Sequence, residues 1–217
     1  ARLSFSSGSD VGVFGKTNGA TIKNIAFVDY VVSASACKHV GLVGSASVTT
    51  FDQVAAVGTV TGDDHVALFA GDGNGSTVTN CYVDGTVTGR SQVGGFFGCT
   101  LESGANISNS YFNGQATATS RGWTGGFIGL IDKAESQVDI HNCVSIGNCS
   151  TTGSGSPLVT APFIAGNNAG DTPNAVINFS GNLYNNEAVM DATTEWPTKN
   201  ETAEGGSAEP ATTITAA

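Results

Sequence analysis

Charge is scarce in this chain. Asp, Glu, Lys and Arg together make up 12% of 217 residues, about half the share usual in soluble domains. Stretches with apolar residues at i, i+3, i+4 and i+7 are missing too, and their absence argues against helix throughout. No apolar run approaches the ~20 residues of a membrane-spanning helix, so membrane insertion is not expected. Only 8 Lys and Arg stand against 18 Asp and Glu, a net charge of -10. That balance excludes nucleic acid as the expected partner, because phosphate neutralisation needs clustered cations. No charged-then-apolar leader opens the sequence, which starts at Ala1, so a processed or excised segment is expected.

Cysteine is present but unpaired in pattern. The five, Cys37, Cys81, Cys99, Cys143 and Cys149, are an odd number with no zinc-knuckle spacing. Cysteine is therefore not expected to be the main staple, although a Cys143–Cys149 or Cys37–Cys99 bridge stays open. What is abundant is glycine, 30 residues, with Ser, Thr and Asn. That mixture suits short strands and tight turns.

The positive feature is repetition. An apolar doublet bracketed by Gly or Ala recurs six times, as Gly12-Val13-Phe14-Gly15, Gly41-Leu42-Val43-Gly44, Ala67-Leu68-Phe69-Ala70, Gly95-Phe96-Phe97-Gly98, Gly126-Phe127-Ile128-Gly129 and Pro162-Phe163-Ile164-Ala165. Successive copies lie about 26 to 36 residues apart, a solenoid-like period and too short for four-stranded propeller blades. Downstream of each doublet comes an amide preceded two residues earlier by an apolar residue: Asn24, Gln53, Asn80, Asn109, Asn142 and Asn178. Stacked in adjacent coils ~4.8 Å apart, these six would form a ladder of mutually bonded side-chain amides. The expected fold is all-β, a right-handed parallel β-helix of about six coils over residues 1–184. Residues 185–217 are expected to be an acidic irregular tail that caps the solenoid or straps it to a neighbour.

Val93 to Gly98 (V-G-G-F-F-G), paired with Ile107 to Tyr111 (I-S-N-S-Y) and Val78 to Gly89 (V-T-N-C-Y-V-D-G-T-V-T-G), resembles the GLUG-motif repeat. That repeat occurs in large secreted and cell-surface bacterial proteins, including the non-catalytic part of some immunoglobulin A peptidases. The resemblance runs from about Asp10 to Tyr184 and is strongest from His65 to Gly129. It implies a β-solenoid displayed outside the cell, and it implies no catalytic residues.

Read as chemistry, the individual residues offer little. Asp63-Asp64-His65, with Asp72 soon after, is the best catalytic-looking patch. Glycosidase work needs two carboxyls across one bond, and adjacent aspartates after Gly62 read better as a solvated turn. No Lys or Arg lies close to them in sequence. Asp72-Gly73-Asn74-Gly75 lacks the later glycine and glutamate of a calcium loop and also reads as a turn. His39, His65 and His141 fall at different repeat positions by this alignment and form no zinc-peptidase motif. No catalytic, metal or cofactor residues are expected. The inserts 99–105, 130–137 and 149–158 lengthen the later copies, and such inserts gather on one face in solenoids. Arg121 and Trp123 are the expected ligand or partner contact on that ridge, unless Trp123 serves the core at a coil edge.

The function expected is therefore a non-catalytic, secreted or cell-surface structural or adhesive module. Its partners would be further copies, through its open ends, or a host or glycan ligand. Two alternatives remain: a self-assembling fibre subunit whose ends and strand-like 211–215 tail stack open-endedly, and a carbohydrate-active enzyme on a β-helix.

Overall fold

A computed structural model describes residues 1–120, 122–155, 158–167, 175–185 and 209–210. The described elements are all β, and every strand pairing is parallel. One face is a six-stranded sheet made from one strand of each repeat. Its strands are Phe14–Asn18, Val43–Ser47, Ala70–Asp72, Phe97–Thr100, Ile128–Ile131 and Ile164–Asn167, in strict chain order. Consecutive repeats are thus neighbouring rungs, and six rungs make about five turns of a parallel β-helix. The remaining strands form one 18-stranded sheet around the other faces.

The doublets make the core: from the second copy on, both residues of each are buried. Phe69, Phe96, Phe127 and Phe163 stack with ring centroids 4.7 to 5.5 Å apart, and all are buried. A second inward column runs Phe51, Val78, Ile107 and Ile140. Burying one such side chain is worth about 1.5–3 kcal/mol, so each coil is held mainly by its contact with the next.

The third repeat departs from the alignment. Phe97 pairs with Ala70, and Val43 pairs with Ala70 from the other side. The residue of that copy that joins the ring stack is therefore Phe69 and the one paired along the sheet is Ala70, so the phrase there is Phe69-Ala70-Gly71. Both Leu68 and Phe69 are apolar, and polarity alone could not choose between them.

In the second, third and fourth copies the glycine after the doublet has a steric cause. A Cβ on Gly44 would sit 2.2 Å from the Asp10 carbonyl carbon, one on Gly71 2.4 Å from that of His39, and one on Gly98 2.4 Å from the Val66 nitrogen. Only a residue without Cβ lets the sheet strand lie so close to the opposite corner.

Corners between faces are turned by single residues in the left-handed region, which bend a strand without ending it. Asn24, Gln53, Asn80, Asn109 and Asn142 have φ of 48 to 56°, a conformation asparagine tolerates better than most side chains. The sixth expected member does not belong. Asn178 lies opposite Asp139, and the position above Asn142 is Gly181, φ 64°. The sixth copy is displaced by three residues because glycine meets the same backbone demand without an amide. Where an amide of this column bonds, as Asn80 Nδ2 does to Asp52 Oδ1 at 3.0 Å, it reaches the residue beside the next rung's corner. The column therefore works through backbone conformation, not through the expected amide-to-amide chain.

Candidate functional site: a histidine–aspartate corner

A second left-handed corner carries different residues. Asp10, His39 and His65 have φ of 58, 50 and 52°, and the flanking pairs Lys38↔Asp64 and Val40↔Val66 place the two histidines on adjacent rungs. Gln92 and Trp123 continue the column through Val66↔Val93↔Thr124. His39 and His65 thus occupy equivalent positions, contrary to the sequence alignment, which had keyed the repeat to the doublets and amides alone.

Facing this column, across the tight approach that Gly44 and Gly71 permit, runs a column from the six-stranded sheet: Lys16, Ser45, Asp72, Cys99. The imidazoles of His39 and His65 stack at 4.9 Å with 24° between planes. His65 Nδ1 lies 2.9 Å from Asp72 Oδ1, and His39 Nδ1 lies 3.3 Å from Asp72 Oδ2 and 2.8 Å from Asp10 Oδ1. Lys16 Nζ reaches Asp10 Oδ2 at 3.0 Å. Asp72 is only 2% exposed; it is a buried strand residue and not part of a solvated turn. Burial works to raise the Asp10 pKa, but hydrogen bonds from His39 and Lys16 outweigh it and hold the carboxyl below its usual range. Burial, with Asp72 beside it, pushes the Cys99 thiol up. Among the described residues, His39, His65 and Asp72 are a group whose ligand atoms converge to within 4.8 Å of one another.

The acidic doublet has a cation after all. Arg90, about one coil later, donates from Nε to Asp63 Oδ1 at 2.6 Å and approaches Asp64 at 3.7 Å. The coil period brings together what sequence distance had separated. Asp64 Oδ1 and Gln92 Oε1, flanking His65 along the chain and along the column, are buried without a hydrogen-bond partner.

Trp123 is half-buried. It packs against Val159, Ala161 and Ala165 and lies over Gly166, where a Cβ would come within 2.4 Å of the indole. Arg121 lies outside the described residues. The cysteines are all free and buried. Cys81 and Cys143 sit just inside the amide corner, in one column with Ser110 between them. There Ser110 Oγ accepts from the Cys81 N–H at 3.1 Å, and Asn182 Oδ1 from the Cys143 N–H at 2.9 Å. Burial raises both thiols to about 11 and that of Cys149 to about 12.

Two of the inserts do come together. Glu102, Ser103, Lys133, Glu135 and Gln137, with Thr77 and Asp139, line a shallow, open cleft of about 550 Å³. Glu209–Pro210 pairs with Leu183–Tyr184; the rest of the expected tail beyond Asn185 lies outside the described residues.

The architecture is that of a parallel β-solenoid, a class defined by stacked coils and not by any one pocket. No family model and no curated protein matches the sequence. Among solved structures the chain is similar to a Bacteroides ovatus protein described as a candidate immunoglobulin A1 protease, with a TM-score of 0.65 and 18% identity. The match covers 94% of this chain and 64% of that one. At that identity the likeness is one of fold.

Proposed function

We propose that this chain is a non-catalytic β-solenoid segment of a larger secreted or cell-surface protein, with an adhesive face on the insert side. The carrying observation is the convergence of two inserts from successive coils into one open cleft, of mixed charge, on an otherwise low-charge rod. Three further points support the reading: the GLUG-like phrases, the resemblance of fold to a longer protein, and the commitment of Asp63 to Arg90. The purified chain, on a glycan array and on host-cell surfaces, is expected to bind saturably. Binding should be lost when Glu102→Lys and Glu135→Lys reverse the cleft's charge. A wild-type chain that binds no surface overturns the adhesive reading. Turnover of polygalacturonate or immunoglobulin A1 that disappears in Asp64→Asn overturns the non-catalytic one.

A fibre subunit is the second reading, favoured by the first coil. Ile25 is 43% and Val28 57% exposed there, on the open end of the stack. Unpaired end rungs are templates for another chain. Light scattering that finds a monodisperse monomer at high concentration removes this reading.

A further inference from the structure

We propose that His39, His65 and Asp72, with Asp10 as the fourth group, bind one divalent transition-metal ion, Zn²⁺ by preference, clipping the first three coils together. The ligands come from three successive rungs, so their separation is set by the strand spacing and not by a local loop.

The chemistry of the set selects the ion. Imidazole nitrogen and carboxylate oxygen are zinc ligands at about 2.0–2.2 Å, usually four in a tetrahedron. Hard cations such as Ca²⁺ take six to eight oxygens, and two imidazoles at the centre exclude that. Tetrahedral coordination at these distances puts ligand atoms about 3.4 Å apart; here those of His39, His65 and Asp72 lie within 4.8 Å of one another. Rotation of the side chains by roughly 1 Å closes the difference without moving the rungs.

Charge makes the same case. Asp72 is buried, and its ion-pair partners are the two histidines. A buried carboxylate needs a cation, yet protonating both histidines would stack two imidazolium rings 4.9 Å apart. Lys16 bonds Asp10 and not Asp72, with its side chain 71% exposed. One Zn²⁺ supplies two positive charges against the two carboxylates and leaves both imidazoles neutral. On binding, each Nδ1 gives up its contact with a carboxylate, coordinates the ion, and carries its ring proton on Nε2 instead.

The test uses the full chain without an affinity tag, stripped with chelator and titrated with ZnCl₂ by calorimetry. One ion per chain is expected, with a rise in thermal midpoint that EDTA reverses and that CaCl₂ does not produce. Co²⁺ should give the visible absorption of a tetrahedral site. His39→Asn and His65→Asn, folded by circular dichroism, should each bind at least a hundred-fold more weakly. Asp72→Asn should do so too, but the histidine variants decide if it fails to fold. His141→Asn, at the other corner, should bind like wild type. Absence of one-to-one Zn²⁺ binding, or binding undiminished in both folded variants His39→Asn and His65→Asn, overturns the proposal.

Discussion

Two of the left-handed corners are built the same way and filled differently. At one, Asn24, Gln53, Asn80, Asn109, Asn142 and Gly181 share a backbone conformation, and glycine takes the place of asparagine in the sixth coil. At the other, Asp10, His39 and His65 adopt the same conformation, while the two histidine side chains meet Asp72 across the fold and Asp10 pairs with His39. The first corner selects for what a residue permits its backbone to do. The second selects in addition for what its side chain can hold. The difference shows that repetition in a solenoid specifies positions, and that chemistry arises where unlike residues occupy like positions.

The sharpest way to break the second corner is steric. Gly71→Ala should cost about 3 kcal/mol in urea denaturation, since the new Cβ meets the backbone of His39 and Val40 at 2.4 and 2.5 Å and strand or corner must shift. Metal binding should go with it. Gly19→Ala, at a φ of 61° but with nothing within 4 Å of its Cβ, should cost only about 1 kcal/mol. Equal losses in the two would mean that close approach does not set the corner.

Next comes the ion itself. If the second corner is a metal clip, Zn²⁺ at a hundred times its dissociation constant should add about 2.7 kcal/mol to the unfolding free energy. At the amide corner the expected response is to side-chain shape alone. Asn80→Val places a β-branched residue at positive φ and should cost about 1–2 kcal/mol, whereas Asn80→Gly should change stability by a few tenths. His65→Asn should keep its stability without metal and lose the zinc increment. A metal-free His65→Asn far less stable than wild type would show that the hydrogen bonds to Asp72, not the ion, are the corner's purpose.

The sequence made the first corner legible and hid the second. Asparagine with an apolar residue two positions before it is a local signal, and it placed five of six coils in register. It failed in the sixth because Asn178 imitates the pattern three residues before Gly181 meets the real requirement. The histidine corner rests on an equally regular signal: Asp10-Val11-Gly12, His39-Val40-Gly41, His65-Val66-Ala67 and Gln92-Val93-Gly94. That signal is a valine and a small residue after a variable one, and chemistry is easily overlooked when the repeating part is the bland part. Asp72 could not have been joined to His39 from sequence, because the contact crosses the interior between two faces. Arg90 and Asp63 differ: they are neighbours on successive coils, about one period apart.

The thiols report on the amide corner from inside. Cys81 and Cys143 have folded pKa values raised to about 11 by burial. The unfolded chain's thiols, near 9, lose protons first as pH rises, so it binds fewer protons than the folded chain and stability falls. Below pH 9 the contribution is intact; by pH 10 each thiol should have cost about 1 kcal/mol, and the loss should continue through pH 11. Replacing both with alanine should flatten the alkaline limb of the unfolding profile. A limb unchanged by the double substitution would mean that these thiols are not held inside the corner.

The smallest effect tests whether the surroundings of the histidine corner matter at all. Arg90 pairs with Asp63 and Asp64, immediately before His65, but its side chain is 42% exposed. An exposed pair of this kind contributes less than about 1 kcal/mol, so Arg90→Gln should barely move the denaturation midpoint. Its effect on metal binding should be the larger one. Without the guanidinium, Asp63 and Asp64 leave the corner more negative, and Zn²⁺ should bind a few-fold more tightly at low salt. Because such a field is screened within about 10 Å at 0.1 M salt, the gain should vanish in 1 M NaCl. Tightening that persists in high salt would mean that Arg90 acts through contact and not through its field, and that the boundary between the acidic doublet and the corner has been drawn in the wrong place.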